Sequence, residues 1–129
     1  MSRDLTKLSP FMQDKATVFK AECAKQGLDV TIICTDRSDA EQEACFAAGN
    51  SKCHAGQSAH NAKDSAMNTA SEAFDIGVIR HGKYIGDPSD PDYAKAGAIG
   101  KAIGLVWAGD WIHFKEVAHF QNPSWKAPH

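Results

Sequence analysis

The chain has 129 residues, 43% of them hydrophobic and 23% charged, with a formal net charge of −2. This is the composition of one globular domain, large enough to bury about two-thirds of the surface that its unfolded chain exposes. The near-neutral balance excludes partners held by charge alone, so neither nucleic acid nor an anionic membrane is expected.

The opening residues, MSRDLTKLSPFMQDK, contain no apolar core of signal-peptide type, and no later run reaches transmembrane length. The expectation is a monomer without a membrane anchor, made in the cytoplasm. Ser9-Pro10 is a cap followed by proline at the first helical position. Met12, Ala16, Phe19 and Cys23 then recur at helical spacing until Gly27 stops the helix. Val30 to Thr35 is a short β-branched run that predicts a buried strand. Ser38 with Glu41 forms a capping-box pattern that opens a second helix to about Ala48, closed by Gly49.

From Gly49 to Ala70 the chain is rich in Gly, Asn, Ser, Ala and Lys and lacks periodicity. A structureless loop of that length inside a small domain is usually functional. Ala73 to Arg80 and Lys83 to Ile85 predict two strands joined at His81-Gly82. Asp90-Pro91 opens a third helix that runs to Gly104, and its Ala96, Gly97, Ala98 and Gly100 predict close packing on a neighbour. Leu105 to Trp107 and Ala118 to Gln121 are the last strand candidates, bracketing a tryptophan-containing loop, and Pro123 to His129 reads as a loose tail. The order αβα, loop, ββαββ predicts a single α+β domain over residues 1–129, with helices packed on a small antiparallel sheet.

Four cysteines (Cys23, Cys34, Cys45, Cys53) stand alone at wide spacing with no Cys-x-x-Cys pair, which predicts reduced structural thiols. Cys45 and Cys53 are near enough in sequence to approach across a turn, but no bridge is expected.

The chemistry concentrates in SAHNAKDSAMNTASEAFDIG and WAGDWIHFKEVAHFQ. His60, Asp75 and His119 supply two imidazoles and a carboxylate, a full set of protein ligands for a catalytic zinc with a fourth position left for water. Asp75 stands inside an otherwise apolar strand, where an unpaired carboxylate is costly and a cation is its natural partner. Glu116, three residues before His119, is a second carboxylate placed to take a proton from water and pass it to a leaving amine. Ser58 is expected to orient His60 by a hydrogen bond. Trp111 is a candidate wall of the cleft. His54 and His113 are candidates for approach to the site from adjoining loops, and His81 is expected to be exposed in its turn.

These segments together resemble the zinc D-Ala-D-Ala carboxypeptidase and L-alanyl-D-glutamate endopeptidase family, the VanX- and VanY-like peptidoglycan peptidases that include single-domain phage endolysins. The carriers are Ser58-Ala59-His60, then Ser71-Glu72-Ala73-Phe74-Asp75, then Trp111, Phe114, Glu116, His119, Phe120 and Gln121. Upstream, Thr35-Asp36-Arg37-Ser38 with Glu41-Gln42 resembles the family's Tyr-Arg-Ser…Glu-Gln segment, with Asp36 in place of Tyr. Ser71 stands where a glycine is usual, and His60 and Asp75 are 75 − 60 = 15 positions apart where the compact motif has seven. The residues added between Asn61 and Ser71 are expected to form a rim or flap over the substrate cleft.

The resemblance implies a Hedgehog/DD-peptidase-like fold with the zinc site at the sheet, and Arg37 as a fixed cation facing the scissile carbonyl. It also implies a zinc-dependent endolysin that cuts the L-alanyl-D-glutamate bond of the peptidoglycan stem. Such an enzyme would act in the periplasm or wall after a holin permeabilises the host membrane. D-Ala-D-Ala carboxypeptidase is the alternative activity, and a catalytically silent wall-binding domain the alternative class. Retention of Glu116 and Arg37 beside all three ligands argues against the silent domain.

Overall fold

Strand β2 (Ala73–Arg80) is the axis of the molecule. The computed structural model describes residues 2–126. Along β2 the side chains of Phe74, Ile76 and Val78 are fully buried, so the two-residue strand period turns Asp75 to the opposite face. β1 (Asp29–Cys34) pairs antiparallel with one edge of β2, setting Val30 opposite Val78 and Ile32 opposite Ile76. β3 (Lys83–Ile85) and β5 (His119–Gln121) share the other edge. β3 lies opposite Val78 to Arg80, and β5 opposite Ala73 to Asp75. β4 (Val106–Trp107) extends the sheet beyond β5.

The β2–β3 connection turns on His81 and Gly82, with φ of 53° and 74°. Two successive left-handed residues are what a tight right-twisted hairpin requires, and histidine tolerates that region better than a β-branched residue would.

Helix α1 (Pro10–Lys25) begins where Ser9 Oγ accepts the Met12 N–H and ends before Gly27. Its Met12, Ala16, Phe19 and Cys23 are buried on one face, as their spacing predicts. The Phe19 ring centroid lies 5.6 Å from that of Phe74 and 4.9 Å from that of Phe120, which makes these three rings the centre of the core.

α3 (Pro91–Ala102), capped by Asp90, packs against the same core through Tyr93, Ala96 and Ile99. Its small residues are a packing requirement. A Cβ added at Gly97 would fall 2.4 Å from the Trp107 ring, and one at Gly100 would fall 2.4 Å from the Phe120 ring. Phe120 is itself fully buried and held by Phe19 and Phe74. Gly100→Ala is therefore expected to destabilise the protein by the about 1–3 kcal/mol typical of overpacking. That exceeds the roughly 1 kcal/mol alanine gains over glycine in a helix. The urea midpoint should fall, and an unchanged or raised midpoint would mean that Phe120 can move aside.

α2 (Asp39–Ala47) has the capping box expected of it. Ser38 Oγ accepts the Glu41 N–H at 3.1 Å and Glu41 Oε1 accepts the Ser38 N–H at 2.9 Å. It buries only Gln42.

The stretch from Gly49 to Ala70 is more ordered than its composition predicts. It holds a 3-10 turn at Ala59–Asn61 and a bridge between Lys63 and Thr69. Asp64 Oδ1 accepts the N–H groups of Ala66 and Asn68 at the tip. The tail also begins in order, because Asn122 N–H donates to the Glu72 carbonyl and the Trp125 N–H to that of Asn122. Residues 127–129 lie outside the described residues. Among those described, no helix is long and apolar enough to cross a membrane.

All four cysteines are free, and Cys23 and Cys34 are buried. Burial pushes their thiols up to about 11 and about 12 respectively, so both remain protonated and inert near neutrality.

Candidate metal centre

Strand register brings the first two candidate ligands together. Asp75 and His119 are direct partners across β2 and β5, one position along from the Phe74–Phe120 pair, and so lie on the face away from the core. His119 Nδ1 lies 3.0 Å from Asp75 Oδ1. His60 comes from the long loop, on the 3-10 turn that Ser58 caps by accepting the His60 N–H at 3.2 Å. That turn is tied down by the Arg37 N–H on the His60 carbonyl and the Glu72 N–H on the Ala59 carbonyl. His60 Nε2 then lies 3.2 Å from the same Asp75 Oδ1, and the two imidazole rings stand 5.0 Å apart.

Each ring has its other nitrogen occupied. His60 Nδ1 donates to the Thr35 carbonyl at 2.7 Å, and His119 Nε2 to Gln121 Oε1 at 2.8 Å. In neutral rings these partners would set the tautomers whose free lone pairs are on His60 Nε2 and His119 Nδ1. His60 Nε2 and His119 Nδ1 thus each lie 3.0–3.2 Å from the same Asp75 oxygen. Two imidazoles and a carboxylate are donors of the kind that a catalytic zinc takes. Ser71, which replaces the usual glycine, is fully buried with Oγ 2.7 Å from the Thr35 carbonyl that also receives His60.

Burial alone would raise the Asp75 carboxyl, but the adjacent His60 and His119 hold it far below the ordinary carboxylate value. His119 is likewise driven down by burial and, on balance, up by Asp75. Arg37 adds to the anchoring, with Nη2 donating to Asp75 Oδ2 at 3.0 Å and Nη1 to Gln42 Oε1 at 3.1 Å.

Cys34, His60 and Asp75 also offer donor atoms within 4.8 Å of one another. Cys34 Sγ lies 3.8 Å from His60 Nδ1, the nitrogen that also bonds the Thr35 carbonyl.

The cleft in front of these residues has a volume of about 160 Å³, and Arg37, Trp111, Glu116 and Trp125 line it together with His60 and His119. Trp111 packs on His119 with ring centroids 5.5 Å apart. Glu116 reaches the cleft from the loop before β5, where its N–H donates to the Ala108 carbonyl and its carbonyl accepts from His119 N–H. Burial raises the Glu116 carboxyl above its ordinary value, against the lowering effect of His119. A carboxylate raised in this way is a stronger base once ionised.

Other candidates fall elsewhere. His54 is exposed, bonded to Glu43 and stacked on Phe46, while His113 and His81 are exposed. None of residues 62–70 lines the cleft. Part of that excursion borders two other grooves, and in one of them Lys63 and Thr69 share the lining with Arg37 and His60.

Two organising residues enter the sequence reading only as members of the motif, with no role given to them. Gln121 follows His119 by two positions on the same strand face. Gln42 is fully buried and donates from Nε2 to Ser51 Oγ at 2.9 Å and to the Cys53 carbonyl at 2.8 Å, while its Oε1 accepts from Arg37. Gln42→Leu strands these partners and is expected to lower stability by about 1–3 kcal/mol. Turnover should fall as well, because Arg37 loses its second anchor. Chemical denaturation with a parallel assay checks this, and wild-type values in both would show that the amide organises nothing.

No family model matches the chain. It is 30% identical over 122 residues to the peptidoglycan L-alanyl-D-glutamate endopeptidase CwlK of Bacillus subtilis (strain 168), across 88% of this chain and 72% of that protein. Its fold is similar to that of the Serratia marcescens L-Ala D-Glu endopeptidase ChiX, with a TM-score of 0.70 at 20% identity, covering 92% of this chain and 82% of that one. With a relative of that identity aligned over most of both chains, this protein belongs to the peptidoglycan L-alanyl-D-glutamate endopeptidase family.

Proposed function

We propose that the protein is a zinc-dependent endopeptidase that hydrolyses the L-alanyl-D-glutamate bond of the peptidoglycan stem. The observation that supports the zinc reading is that His60 Nε2 and His119 Nδ1 both lie within 3.2 Å of Asp75 Oδ1, while the other nitrogen of each ring is bonded elsewhere. Zinc bound there would polarise the scissile carbonyl and acidify water. The chain supplies the remainder. Glu116 takes a proton from the attacking water and returns it to the departing D-glutamate nitrogen. Arg37, lining the cleft with its guanidinium fixed by Asp75 and Gln42, is the cation assigned to the developing oxyanion. Trp111 and Trp125 wall the cleft and limit water.

Cutting at this bond detaches stem peptides from the glycan strands, so cross-links are lost wherever it occurs. We attach to that chemistry a lytic role of phage-endolysin type, with a holin giving access from the host cytoplasm to the wall. Mass spectrometry of digested purified peptidoglycan tests the bond directly, and the expected products are stems with a new amino-terminal D-glutamate. Release of terminal D-alanine alone would reassign the protein to the carboxypeptidase activity. Intact wall would support the silent wall-binding domain.

A further inference from the structure

Lys52 stands out among the cleft residues because no ion pair offsets its charge. It lines the cleft with Trp111, Glu116 and His119, and among the described residues it makes no salt bridge. Its backbone is nevertheless well held. Ser51 and Cys53 on either side are both bonded to the buried Gln42 amide, and Cys53 N–H donates back to Ser51 Oγ at 3.1 Å. Its ammonium lies 5.2 Å from the centroid of the Trp111 ring, whose other contact is His119. A lysine placed over an aromatic face beside a reaction centre is partly ordered by the ring quadrupole. The same Gln42 side chain thus fixes both cleft cations, Arg37 and the segment carrying Lys52.

The substrate of the peptidase reading, on which this step rests, brings an anion to that place. In the stem the chain leaves D-glutamate through its γ-carboxyl, so the α-carboxylate is a free branch two bonds from the scissile nitrogen. It must enter a cleft already lined by the carboxylate of Glu116. Arg37 is engaged by Asp75 and Gln42.

We propose that Lys52 is a specificity-determining residue that binds the α-carboxylate of the D-glutamate on the leaving side of the scissile bond. The enzyme would then prefer stems whose D-glutamate is free over those in which it is amidated, since the neutral amide forfeits the ion pair.

The test compares zinc-loaded wild type, Lys52→Met and Lys52→Arg on two synthetic tripeptides, L-alanyl-γ-D-glutamyl-diamino acid and its α-amidated counterpart. Wild type is expected to favour the free acid. Lys52→Met should lose about 10-fold in kcat/KM on the free acid, mainly through KM, and change little on the amide. Lys52→Arg should retain most of the preference. Added salt should raise KM for the free acid with wild type and have less effect on the Met variant. Zinc content and circular dichroism confirm that the variants are folded. Equal losses on both peptides, or no loss on either, would overturn the assignment. If wild type cuts neither peptide while wall digests show another bond cleaved, the peptidase reading itself is wrong and this inference falls with it.

Discussion

Glu116→Ala is expected to retain the metal and the fold and to lose hydrolysis by about 10²–10⁴-fold, the range that a general base contributes. Glu116 lines the cleft with His60 and His119, yet it belongs to the loop before β5, outside the convergent donor set. Removing it takes away a proton acceptor without touching the proposed ligands. Its carboxyl is raised by burial, and it is not hydrogen-bonded to Asp75 or to either ring, so no ligand contact is lost with it. Zinc content, thermal midpoint and kcat/KM should be measured on one preparation. Activity within a few-fold of wild type on the same wall substrate would remove Glu116 from this role, and a fall in zinc content would recast it as a ligand.

His119→Ala is expected to remove both the metal and the activity. It deletes one of three protein donors, and it also strands Gln121 and takes a partner from Asp75. By contrast, Gln121→Ala removes only the group that fixes the ring, for which a 10–100-fold loss of metal affinity is typical. Elemental analysis after dialysis against a weak chelator separates the two. Cys34→Ala is the control, because Cys34 lies near His60 and Asp75 but should leave zinc bound. Full zinc occupancy in His119→Ala together with loss in Cys34→Ala would move the centre to Cys34, His60 and Asp75.

Much of this protein is written locally. The Ser9-Pro10 start, the Ser38–Glu41 capping box, the His81-Gly82 turn and the alternation of Phe74, Asp75 and Ile76 act over a few residues each. Backbone capping and side-chain periodicity therefore suffice to place their elements. The small residues of α3 were legible for the same reason, since close approach to a neighbour demands them whichever neighbour it is. His60, Asp75, Glu116 and His119 are candidates that residue type and motif order pick out in the sequence, and the fold brings both histidines to Asp75.

What only the tertiary structure decided is everything that depends on two distant segments meeting. Register pairs Asp75 with His119, and neither segment alone encodes that register. The choice of ring nitrogens rests on the Thr35 carbonyl and the Gln121 amide. Gln42 appears in sequence only as part of the Glu41-Gln42 motif, and folding gives it its role by burying it against Arg37, Ser51 and Cys53, groups that need a partner once water is excluded. The same holds for the excursion after His60, expected from its polar residues to form a rim or flap. Its own hydrogen bonds close it into a small turn to the side, because a loop with both ends anchored settles where its backbone groups can be satisfied.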